Sequence, residues 1–185
     1  MQNHLILVWL FPILFMMHDF EEIIFLRSWF FHYREYMIRR FPKITMRLAS
    51  HLELSPQAFS LGVAEEFLII SGVTVFSFAF HNYLVWFGLF FAFTLHLILH
   101  LIQCILLRKY IPSVVTAAAV LPYCVYTYAK TFEIAVQPPM IISAVLSTVL
   151  MSMNLIFIHH MMKLFDKWLD TYEKAKWRTN DGRKK

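Results

Sequence analysis

The sequence predicts an all-α, polytopic membrane bundle of five transmembrane helices, with the N-terminus outside and the C-terminus in the cytoplasm. Three observations lead there. The chain is 59% hydrophobic with a mean hydropathy of +0.57, above the roughly 45–50% apolar content of soluble domains. Its apolar residues fall into five runs, each near the roughly 17–25 residues that cross a hydrocarbon core. Its basic residues gather in the links that this topology puts on one side. The 185 residues leave room for one bundle, read as residues 1–165 and followed by a basic cytoplasmic tail, 166–185. The net charge of +5 raises the question of nucleic acid. The bases flank apolar runs instead of forming a patch, so membrane topology accounts for them and no nucleic-acid partner is expected.

The runs extend from about Leu5 to Leu26, Gln57 to Phe80, Tyr83 to Leu107, Pro112 to Ala129 and Pro139 to Met162. Pro112 and Pro139 sit where a first helical turn has no use for its N–H groups, and Pro12 and Pro122 predict kinks. The start Met1-Gln-Asn-His4 lacks a basic n-region and no small-residue cleavage site follows, so the first run is expected to stay as a membrane anchor. Cys104 and Cys124 lie inside apolar runs without ligand spacing and read as buried thiols.

The link 27–56 carries Arg27, Arg34, Arg39, Arg40, Lys43 and Arg47, and its aromatic start reads as an interfacial loop along the headgroups. With five spans, this link, the Arg108-Lys109 turn and the tail all face the cytoplasm. Sixteen of the seventeen basic residues are then inside and only Lys130 is outside. Dropping the fourth run would send the tail outside and destroy that bias. A plasma or inner membrane location follows, with membrane lipid as the immediate partner.

Ionisable residues within the apolar runs point to a site, because groups at membrane depth face a bundle interior and need partners. His18 with Glu21 and Glu22 share one helical face; Asp19 lies about 100° round from His18 and need not join them. His18 precedes Arg27 by nine residues, about 13 Å of helix. Glu65 and Glu66 follow Pro56 by nine and ten residues, about 14 Å, and His100 precedes Arg108 by eight, about 12 Å. His96 lies one turn deeper on the same face as His100. Three helices thus bring acids and imidazoles into one slab of the inner leaflet. Adjacent Glu65 and Glu66 cannot both point straight at a shared centre. His159 or His160 stands near the same interface as a further candidate. Imidazoles with carboxylates form the donor set of a mixed nitrogen–oxygen site for a divalent transition metal, Fe, Mn or Zn, as one or two ions. Two other readings use the same residues: a proton- or ion-coupled small transporter, and a non-catalytic membrane partner with a structural polar core.

The run Trp9-Leu-Phe-Pro with His18-Asp-Phe-Glu21-Glu22 resembles the HXXEE family of prokaryotic integral membrane proteins. A second block, from His100 to Tyr110-Ile-Pro112-Ser113, is similar to that family's later histidine and Tyr-x-Pro-Gly turn, with Ser113 in place of the glycine. The resemblance runs from Trp9 to about Pro122 and covers His18, Glu21, Glu22, His100, Tyr110 and Pro112. It implies no activity, since the family has none assigned. Glu65, Glu66 and His96 rest on depth and spacing alone. The residues themselves favour a metal-dependent membrane enzyme, a hydrolase or an oxidase, acting on a lipid-like or small hydrophobic substrate. Glu21 or Glu22 is the candidate general base.

Overall fold

The protein is all helix among the described residues: α1 Gln2–Arg40, α2 Pro42–Leu52, α3 Pro56–Phe80, α4 Leu84–Leu107, α5 Val114–Ala135 and α6 Pro138–Asp181. The structure, a computed structural model, describes residues 2–181. It describes the side chains of these residues apart from 2–4, 48, 50, 51, 134 and 175–181. The end of the predicted tail, 182–185, lies outside the described residues.

Three helices have the length and apolarity of membrane spans: α3, α4 and Pro56-to-Phe80's later partner α6 over Pro138–Lys174. Two helices predicted to span fall outside that set. α1 carries Asp19, Glu21 and Glu22 within its apolar run, and α5 is diluted by tyrosines, threonines and Lys130. On α6, Ile142, Val145, Leu146, Val149 and Leu150 are all exposed, the surface expected of a helix solvated by lipid.

The predicted loop over 27–56 is largely helix. α1 continues through Arg27 to Arg40, because nothing between them breaks a helix and the next proline is Pro42, which disfavours helical geometry in the residue before it. Trp29, Phe30 and Met37 bury themselves with Ile111. Trp29 Nε1–H donates to the Tyr110 carbonyl and the Tyr36 hydroxyl to the Leu107 carbonyl at 3.0 Å. α6 runs on into the basic tail as far as Asp181. Asp166 accepts from the Ser55 N–H at 3.2 Å and from its hydroxyl, while Ser55 caps α3 by accepting from the Ala58 N–H. Residues 166 onward therefore begin as part of the packed body. α1 and α5 run helically through Pro12 and Pro122.

The five long helices close a ring in the order α1, α3, α6, α4, α5, with α5 returning to α1. Across it, Phe11 of α1 meets Trp86, Phe90 and Phe93 of α4 with ring centroids 5.4–5.7 Å apart. Phe11 and Phe90 are fully buried. Gly88 lets α4 and α6 approach: a Cβ there would lie 2.7 Å from the Ser143 carbonyl oxygen and closer still to the Ser147 hydroxyl. Below this aromatic layer, toward Arg27 and Arg108, the interior turns polar.

Candidate metal centre

His18 is the hinge of the polar layer. It is fully buried, with its ring 5.8 Å from Phe93, 5.3 Å from His96 and 5.1 Å from His100, centroid to centroid. Helical spacing puts Glu22 one turn on from His18, and His100 one turn on from His96, so α1 and α4 each turn two donors toward the other. His100 Nε2 lies 3.0 Å from His96 Nε2 and 3.1 Å from Glu22 Oε1. One donor atom from each of His18, Glu22, His96 and His100 lies within 4.8 Å of all the others. The separation of neighbouring donors about a divalent ion with bonds near 2.0–2.1 Å is about 3.0–3.4 Å, so the His100 contacts match the edge of a coordination shell.

The chemistry of the donors fits a cation better than it fits a dry core. His100 Nε2 meets two acceptor-capable atoms and can carry only one proton. His18 Nε2 and His100 Nδ1 are buried without hydrogen-bond partners among the described residues. An orphaned buried polar atom costs about 1–3 kcal/mol, and a ligand to the imidazoles would offset that cost for His18. Among the described residues this is the one grouping of three or more His, Cys, Asp or Glu donors at such spacing.

The other predicted site residues divide. Glu21 turns away from the cluster and clamps the start of α5. Its Oε2 accepts from the Thr116 N–H at 2.9 Å and from the Thr116 hydroxyl at 2.6 Å, and its Oε1 accepts from the Tyr110 hydroxyl at 2.6 Å. The Thr116 N–H is one of the helix-start donors that lack intrahelical acceptors, so Glu21 caps α5 from another helix. Partial burial and the adjacent Glu21 carboxylate push the Tyr110 phenol above its ordinary pKa, keeping it a donor. Pro112 is fully buried in the turn. Ser113 takes φ 78, the left-handed geometry that glycine adopts freely.

Glu65 is also drawn off, accepting from Asn154 Nδ2 of α6 at 3.0 Å. Its neighbour Glu66 faces a cavity of about 390 Å³ together with Glu22, His96 and His100. His159 reaches the same cavity from α6, whereas His160 is exposed. Most of the lining is apolar, including Phe41 and Ile44 at the α2 end and Leu155 and Ile158 on α6.

Two residues escaped the sequence reading. Asp19, set aside for its angle from His18, is 4% exposed and lines the cavity. The signal was its spacing to Glu22, Leu26 and Trp29, a second stripe of α1 that faces the same space. Thr116 lies beyond the quoted turn, and only a helix start immediately after Ser113 would have marked it as a donor in need of a cap.

Residues 9–127 match the family described as "Protein of unknown function with HXXEE motif", which covers more than half of the chain. This chain belongs to the HXXEE family. No curated protein and no solved structure matches it. The family match contains every residue of the His18, Glu22, His96, His100 grouping and of the Glu21 clamp, and ends before α6.

Proposed function

We propose that this HXXEE protein is a membrane-embedded, metal-dependent enzyme, hydrolytic in type, acting on a lipid-like substrate. Its five long helices cross the membrane with the N-terminus outside, and the site lies in the cytoplasmic leaflet. The observation that carries this reading is the opening of three of the four clustered donors, Glu22, His96 and His100, onto a largely apolar cavity. A structural polar core needs no such space beside it, and a substrate with acyl or isoprenoid-like chains would fill it.

His18, Glu22, His96 and His100 would hold one Fe, Mn or Zn ion. Such an ion supplies Lewis acidity and an acidified water. With Glu21 occupied by α5 and Glu22 among the donors, the general base moves to another helix. Glu66 lines the cavity with no hydrogen-bond partner among the described residues. It would accept a proton from an attacking water, and Asp19 shares its wall.

Elemental analysis after purification without chelators tests the donor set. One equivalent of Fe, Mn or Zn is expected, and less than a tenth of an equivalent, as an order of magnitude, sinks the reading. Lipidomic comparison of membranes incubated with the metal-loaded protein tests the reaction. Glu66→Gln should retain metal yet slow product formation by roughly 10²–10⁴-fold.

The 3.1 Å pairing of His100 with Glu22 favours one other reading, a proton relay in a small transporter. Flux into proteoliposomes that requires Glu22 and ignores chelators would select it.

A further inference from the structure

We propose that Thr116, held by Glu21, is a positioning residue that fixes His18 as its Nδ1–H tautomer and so presents the Nε2 lone pair to the cation. This rests on the metal reading above and adds a role that the family description does not assign.

The hydroxyl of Thr116 has one hydrogen and three neighbours that could accept it. Glu21 Oε2 is nearest at 2.6 Å, His18 Nδ1 lies at 3.1 Å and the Ser113 carbonyl at 3.3 Å. A carboxylate at the shortest distance takes the proton, because charge-assisted hydrogen bonds are roughly twice as strong as neutral ones. The Thr116 oxygen then has only lone pairs to offer His18, and the contact with Nδ1 is favourable only if Nδ1 carries the ring's hydrogen. A neutral imidazole holds one hydrogen, so Nε2 is left bare. That atom is the one buried without a partner, on a ring packed against His96 and His100. A metal-binding histidine is set in this way, with the hydrogen bond at one nitrogen deciding which nitrogen binds.

The chain of contacts also gives the HXXEE spacing a physical reason. His18 and Glu21, three residues apart, stand on one face of α1 and grip the same threonine, one at its oxygen and the other at its hydrogen and backbone N–H. Glu22, four residues from His18, is rotated toward α4 and meets His100. A shift of either glutamate by one position would separate these contacts.

The test compares wild type, Thr116→Val, Thr116→Ser and Gly88→Ala, each with the full chain in detergent. Zinc affinity is read by competition with a chromophoric chelator. Imidazole tautomers are read by ¹⁵N NMR of histidine-labelled, metal-stripped protein, with the His18 signals assigned from their loss in His18→Gln. Thr116→Val should weaken zinc binding by about 10–100-fold and lose the Nδ1–H signature of His18. Thr116→Ser should restore both. Gly88→Ala, which destabilises the bundle away from the site, should bind zinc as wild type does, separating positioning from stability. Measurable but equal zinc affinity in wild type and Thr116→Val overturns the proposal, as does an Nε2–H His18 in the stripped wild type. A wild type that binds no metal yet shows the threonine-dependent Nδ1–H tautomer would leave the positioning intact and remove the metal reading alone.

Discussion

Glu21 and Glu22 are neighbours on one helix, yet they belong to different kinds of site. Around Glu21 three donors converge on one carboxylate, and the result is a joint between α1 and the start of α5. Around Glu22 the reverse holds: a carboxylate and three imidazoles crowd together with two buried ring nitrogens unanswered. The first region is complete in protein atoms. The second leaves His18 Nε2 and His100 Nδ1 buried without a partner among the described residues. The motif thus joins a structural clamp to a donor set, and the pair of acids marks the boundary between them.

Mutations should separate the two regions. The largest effect expected is on metal content. His100→Ala removes a donor and should bring bound metal below about a tenth of an equivalent by elemental analysis, while Glu21→Gln, which keeps an acceptor oxygen, should retain it in part. On stability the order reverses. Glu21→Ala leaves the Tyr110 hydroxyl and the Thr116 N–H without their acceptor and should lower unfolding free energy by about 2–4 kcal/mol, read by thermal denaturation in detergent. Should Glu21→Ala melt like wild type, the clamp is no joint. Next comes Gly88→Ala, where the added methyl meets backbone and not just a movable side chain. A loss of about 1–3 kcal/mol is expected, with metal content unchanged. The smallest effect has the opposite sign. Ser113→Gly relieves a left-handed backbone and deletes a buried hydroxyl that lacks a partner, so the melting temperature should rise by an amount equivalent to about 1 kcal/mol. A fall would show that the serine side chain contributes packing that outweighs both costs.

What the sequence made legible followed from periodicity and depth. The meeting of His18, Glu22, His96 and His100 was readable because three- and four-residue spacing fixes a face, and the distance from a basic boundary fixes a height. The suitability of α3, α4 and α6 as membrane spans was readable from apolar length. Rotation of one helix about its axis was not, because it depends on which neighbours it meets. Glu65 and Glu66 are equivalent in depth, and only the presence of Asn154 on α6 assigns one to a hydrogen bond and the other to the cavity. The predicted loop over 27–56 is largely helical for a related reason. Arginines and aromatics there read as an interfacial link, but they are equally compatible with a helix, and burial of Trp29 and Phe30 against Ile111 chose the helix. The Glu21 clamp was illegible because its partner Thr116 is far away in sequence and carries no mark of its own.

The unbroken course of α1 has a mechanical consequence. His18 and Glu22 stand on the same 39-residue rod as Trp29 and Met37, which wall the cavity further along. Because α1 is continuous between these points, a movement of it that widens the cavity near Met37 carries His18 and Glu22 along. Any tilt that opens the space near Met37 therefore also shifts His18 and Glu22 relative to His96 and His100 on α4, so the width of the cavity and the spacing of the cluster are geared to each other.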